Sequence, residues 1–148
     1  PIDRDCTCRP DVRRRYMSRL SGPLLDRVDL RVAMEPVTAL RVTEKRGEDT
    51  ATVRRRVLDA RAAAVARWSE HGWRCNAEVP GPALRTRFPL PARVIAPLEA
   101  RLRAGDLSAR GADRALRVAW TLSDLAGSER PDRGLVDAAL YFRERGAA

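Results

Sequence analysis

One stretch restricts the fold more than any other: Val28, Leu30, Val32 and Met34 alternate with Asp29, Arg31, Ala33 and Glu35 until Pro36 ends the run. Successive side chains of a strand point to opposite faces, so this is the pattern of a half-buried strand. No other segment carries a convincing strand pattern. A lone strand leaves its backbone donors and acceptors without partners and is not stable by itself. The chain is therefore expected to be mainly α, with this strand pairing with something outside the segment. The start at Pro1, without an initiator Met, fits a piece of a longer chain.

Helical periods dominate the remainder. Pro10 suits a first helical turn, and Val12, Tyr16 and Leu20 follow at four-residue intervals before Ser21-Gly22. Residues 37–49 include Lys45-Arg46-Gly47-Glu48-Asp49 and few large apolar groups, which predicts a linker. Asp49 or Thr50 then caps a helix carrying Val53, Val57, Ala60, Ala64 and Trp68, closed by Gly72. From Trp73 to Leu90, Pro80, Gly81, Pro82 and Pro89 predict a loop with one turn around residues 83–87. Pro91 opens a helix through Ile95, Leu98 and Leu102 to Gly105, with Pro97 either kinking it or marking its beginning. Ser108 caps a helix with Ala112, Leu116, Ala119, Leu122 and Ala126 on one face, and a last helix runs from about Asp132 through Phe142 to Gly146. Residues 50–148 thus read as a bundle of about four helices.

The 148 residues carry a net charge of +9, which points to nucleic acid or another anionic surface. Arginine supplies nearly all of it, since Lys45 is the only lysine, and a GC-rich genome produces that skew without selection for binding. Arg13-Arg14-Arg15 and Arg54-Arg55-Arg56 fall in helical patterns that turn successive side chains in different directions. Aromatic residues are 5% of the chain, too few for a base-stacking platform. No apolar run is long enough to span a membrane and no signal peptide is apparent, so a cytoplasmic location is expected. Cys6, Cys8 and Cys75 are an odd set for a disulfide framework; Cys6-Thr7-Cys8 could offer two thiolates to zinc, or be two ordinary thiols near an end.

Two arginines stand at chemically suggestive places. In Ser21-Gly22-Pro23-Leu24-Leu25-Asp26-Arg27-Val28-Asp29-Leu30, Arg27 lies between a short turn and the strand. There it either forms a solvated ion pair with Asp26 or points outward to an anion on a neighbouring molecule. Arg110 follows the Ser108 cap, where the helix dipole disfavours a cation by about 0.3–1 kcal/mol and where orphan N–H groups suit an anion. A bound phosphate would reverse that penalty; arginine as an ordinary helix former is the alternative.

Taken in order, Cys6-Thr7-Cys8, Tyr16, the block from Leu20 to Leu30, Asn76-Ala77-Glu78-Val79-Pro80-Gly81, Leu107-Ser108-Ala109-Arg110-Gly111 and residues 119–127 resemble the C-terminal region of magnesium-chelatase-like AAA+ ATPases, and within them the YifB/ComM branch. The resemblance implies that residues 1–36 end an α/β nucleotide-binding core, that 37–49 link, and that 50–148 form the helical lid. It implies that Arg27 is an arginine finger offered in trans to the ATP of the next subunit in a ring, expected to be hexameric, and that Arg110 is the second sensor on the γ-phosphate. It also implies ATP and Mg²⁺ as cofactors of the full-length protein, and Cys6 and Cys8 as half of a four-thiolate zinc site. Trp120 departs from the family pattern, which has a basic residue there.

The sequence contains no G-x-x-x-x-G-K-[ST] phosphate loop and no acidic magnesium-holding strand, so this segment alone is expected neither to bind ATP tightly nor to hydrolyse it. For the full-length protein a DNA branch-migration helicase is the leading expectation. The alternatives are the ATPase motor that inserts Mg²⁺ into protoporphyrin and a stand-alone helical DNA- or protein-binding module.

Overall fold

A computed structural model describes residues 7–32 and 47–144; Cys6, residues 33–36 of the alternating run and the linker up to residue 46 lie outside the described residues. The architecture is mostly helical. Helix α1 (Pro10–Met17) and the single turn α2 (Gly22–Leu25) precede the lid, which consists of α3 (Thr50–Trp68), α4 (Gly81–Thr86), α5 (Ala92–Ala104), α6 (Ala109–Leu125) and α7 (Arg133–Glu144). Caps fix the long helices where the sequence places them. Asp49 accepts the Thr52 N–H, Ser108 accepts that of Gly111 at 2.9 Å, and Asp132 accepts that of Leu135 at 2.8 Å. Gly72, Gly105 and Gly127 all take positive φ, which lets the chain leave a helical turn at no steric cost.

Helix α6 is the axis of the bundle, packed against α3, α4, α5 and α7. Its Ala112, Ala115, Leu116, Ala119, Trp120, Ser123 and Asp124 are buried, a stripe repeating at three and four residues. Alanines on the stripe bring the helices close, and the remaining space is filled by rings. Fully buried Trp68 meets Phe88 edge-on at 4.7 Å between centroids and Trp120 at 5.3 Å. Its Nε1 donates to Asn76 Oδ1 at 2.7 Å; Asn76 Nδ2 in turn donates to Asp124 Oδ2 at 2.8 Å, and Asp124 also pairs with Arg67, whose guanidinium lies over Trp120. Trp68, Asn76 and Asp124 thus all have partners, the condition for burying them, while Arg67 is bonded through Nη2 and its buried Nη1 is not.

Three segments differ from the sequence reading. Residues 73–90 are more than a loop: a 3₁₀ turn (Asn76–Glu78) and α4 carry Val79, Ala83, Leu84 and Leu90 into the core. The prolines break periodicity but do not prevent burial. Helix α3 buries only its C-terminal part, with Ala60, Ala64 and Trp68 inside and Val53 and Val57 exposed. Residues 28–32 form no strand; a ladder needs a neighbouring strand, and the backbone N–H of Arg31 instead donates to the Phe142 carbonyl of α7 at 2.7 Å. Pro97 lies inside α5, which begins at Ala92, rather than at its start.

Candidate functional site

The Asp26-Arg27-Val28-Asp29 block lies at the junction between the pre-lid segment and the ends of α6 and α7. Ser21 caps α2 and Asp26 closes it, so Asp26 and Arg27 leave a rigid turn in different directions. Asp26 turns to the lid. Its carboxylate accepts from Ser108 Oγ at 3.1 and 3.2 Å and from Arg143 Nη2 at 3.0 Å. Ser108 therefore works twice, capping α6 through its lone pair and donating its proton to Asp26. Asp29 makes the second link, an ion pair with Arg114 one turn further along α6.

This geometry excludes the solvated Asp26–Arg27 pair. Asp26 is engaged across the chain, while Arg27 is exposed and folds back only to donate to the Pro23 carbonyl at 2.8 Å. A guanidinium has five N–H donors, so that bond leaves most of them directed to solvent. Arg110, the other predicted arginine, is exposed on the first turn of α6.

Gly111 explains how α6 and the block approach so closely. A Cβ there would lie 2.8 Å from Leu107 Cδ1, 3.2 Å from Arg143 Nη2 and 3.3 Å from Asp26 Oδ1. An added Cβ would make Leu107 Cδ1 shift and the Asp26–Arg143 pair give by a few tenths of an ångström, so the glycine after Arg110 eases the close approach.

Four arginines, Arg31, Arg114, Arg117 and Arg143, gather around the two carboxylates of Asp26 and Asp29. Burial pulls the Arg143 guanidinium below the ordinary arginine value, with Asp26 opposing the change and Arg31 adding to it. Burial likewise lowers Arg117, helped by its neighbour Arg114, while its Nε donates to the Val79 carbonyl at 2.8 Å. Positive charge thus exceeds negative beside the N-terminus of α6, a setting that favours a polyanion. A groove of about 390 Å³ runs between α2 and the lid here, lined in part by Asp26, Arg31, Ser108 and Arg143.

Sequence reasoning missed Arg143, because a side chain 117 positions from Asp26 leaves no local trace. The proposed thiolate pair is not brought together within the described residues: Cys8 is exposed and Cys6 lies outside them. Among the described residues no cluster of three or more His, Cys, Asp or Glu could hold a metal. Among them, too, no helix is long and apolar enough to cross a membrane.

Residues 47–143 match the family described as magnesium chelatase, subunit ChlI C-terminal, and residues 2–42 match magnesium chelatase, subunit ChlI. An uncharacterized protein of Mycobacterium tuberculosis is 52% identical over 99% of this chain, which spans 29% of that protein. The uncharacterized protein YifB of Escherichia coli is 35% identical over 92% of the chain and 26% of its own length. Competence protein ComM of Haemophilus influenzae is 34% identical over 87% of the chain and 25% of its own length. The chain thus spans less than a third of the curated relatives it matches. The helical lid, the Asp26–Asp29 block and the capped α6 occur together in one order, and the chain belongs to the magnesium-chelatase-like AAA+ family, in the branch that includes YifB and ComM.

Proposed function

We propose that this chain is the lid and finger-bearing segment of a ring-forming ATPase, in which Arg27 reaches in trans to the ATP of the next subunit and Arg110 meets the nucleotide of its own. The observation that carries the reading is the division of labour at residues 26 and 27: Asp26 is fixed to the lid through Ser108 and Arg143, and Arg27 is left exposed. ATP with Mg²⁺ supplies the phosphoryl group to be transferred. A guanidinium placed in advance stabilises charge developing on the phosphoryl oxygens without solvent reorganisation, an effect of about 10³–10⁵ in rate for arginine fingers. Lysine, a point charge, lacks the planar fork.

For the full-length protein the reading extends to a cytoplasmic hexamer that moves along DNA during recombination. The likeness to a protein named for competence and the net charge of +9 support it. The family description favours a second reading, a motor that drives magnesium insertion into a tetrapyrrole. Two experiments test these. Full-length Arg27→Ala should lose ATP turnover by about 10³-fold or more while still assembling; normal turnover would sink the finger role. Stimulation of the ATPase by branched or single-stranded DNA supports the helicase reading, whereas indifference to DNA together with binding to a large chelatase subunit supports the motor.

A further inference from the structure

Resting on that reading of Arg27, we infer that Arg143 is a positioning residue for it. The Arg143 guanidinium holds the backbone on both sides of the finger: Nη1 donates to the Val28 carbonyl at 3.2 Å, and Nη2 reaches the Asp26 carbonyl at 3.4 Å and its carboxylate at 3.0 Å. The backbone N–H of Arg27 is itself bonded to the Leu24 carbonyl at 3.0 Å. With these bonds made, the peptide units flanking Arg27 cannot rotate without breaking a contact, and the direction in which its side chain leaves the backbone is set.

The chemistry of the site argues for this role over mere adhesion between segments. The Arg143 side chain is 7% exposed, its Nε is buried with no hydrogen-bond partner, and Arg31 and Arg114 repel it. An apolar side chain would hold the segment against α7 without desolvating a charge. It could not, however, bond two carbonyls and a carboxylate at once. That needs a rigid fork with several donors, which lysine also lacks. Because Arg143 lies on the last turn of α7 and α7 packs on α5 and α6, the finger's aim is tied to its own lid. A lid movement in one subunit would thereby be felt at its neighbour's nucleotide.

Mixed rings of full-length protein separate this from other roles. An acceptor subunit carries Arg27→Ala, so its nucleotide site is intact but it lends no finger. A donor subunit has a disabled phosphate loop and keeps Arg27. Turnover in the mixture then comes from acceptor sites served by donor fingers. Arg143→Lys in the donor should lower kcat of the mixture about 10- to 100-fold, with KM for ATP within about twofold, as expected for misplacement of a catalytic group by about 1 Å. The same change in the acceptor should not produce that loss. A loss that follows the acceptor, or undiminished turnover with the altered donor, overturns the proposal. If Arg143→Lys does not assemble, Arg143→Gln in the same arrangement reads the same split. Absence of turnover in the unaltered mixture, or normal turnover of Arg27→Ala alone, refutes instead the finger role on which the proposal rests.

Discussion

Two glycines in equivalent helical positions should respond in opposite directions to the same substitution. Gly111 and Gly134 each lie in the first turn of a helix, α6 and α7 respectively. At Gly134 an added Cβ meets only Asp132 Oδ1, at 3.4 Å, which is ordinary contact; at Gly111 it meets Leu107 Cδ1 at 2.8 Å and both members of the Asp26–Arg143 pair within 3.3 Å. Alanine restricts the unfolded chain more than glycine, so at a compatible site it stabilises by about 0.4–1 kcal/mol. Gly134→Ala should show that gain. At Gly111 the same gain is opposed by overpacking of about 1–3 kcal/mol, because half-buried Leu107 must move and the ion pair must widen. The middle of the two ranges leaves a net loss of about 1–2 kcal/mol. At about 2–4 °C per kcal/mol for a chain of this size, Tm should fall by about 2–8 °C for Gly111→Ala and rise by about 1–4 °C for Gly134→Ala. Thermal unfolding followed by circular dichroism measures both. In a Leu107→Ala background the closest contact is gone, and the penalty at Gly111 should shrink. If Gly111→Ala is as stable as Gly134→Ala, residues 26–29 do not pack closely against α6 and Arg143 does not hold them there.

Two further perturbations test the core and a cap. Asn76→Ala leaves the buried Trp68 Nε1 without an acceptor and takes a donor from the Asp124 carboxylate, so stability to urea should fall by about 2–4 kcal/mol; a loss below about 0.5 kcal/mol would show that water replaces the amide. The Asp49 carboxyl is held below its usual value of 3.8 by the Thr52 N–H. A depressed folded value means that its stabilising effect is complete above the unfolded value and fades as pH falls through the folded one. The protection factor of the Thr52 amide should therefore drop below about pH 3.8 in the native chain but stay level in Asp49→Asn, which still caps but does not titrate. Parallel curves would place the acid sensitivity elsewhere.

Helix positions were legible in the sequence because capping is local. Ser108, Asp49 and Asp132 bond amides three residues away, and Gly72, Gly105 and Gly127 need only their own φ. Burial was less legible. Val53 and Val57 continue the apolar spacing of Ala60 and Ala64, but the bundle's other helices do not extend over that end of α3, so both are exposed. Residues 73–90 failed in the opposite sense. Val79, Leu84 and Leu90 follow no helical or strand period, since they reach the core from a turn, a short helix and a loop, and no periodic test registers them.

The candidate site shows the same division more sharply. Adjacent opposite charges at Asp26 and Arg27 invite a local pairing, and nothing within ten residues argues against it. What separates them is the competition for Asp26. A carboxylate beside Arg27 alone would gain one mobile, solvent-screened partner, worth about 0–1 kcal/mol. Turned to the lid, it accepts from a hydroxyl already fixed as a helix cap and from a guanidinium that is 7% exposed, where charge-assisted hydrogen bonds are stronger. The better-ordered partners win, and they come from residues 108 and 143, brought to Asp26 only by the packing of α6 against α7. Arg27 is thereby left facing solvent as a consequence of the lid's own assembly. A chain in which α7 failed to dock would lose the Arg143 partner of Asp26 and leave its carboxylate freer to pair with Arg27, so docking of α7 favours an exposed Arg27.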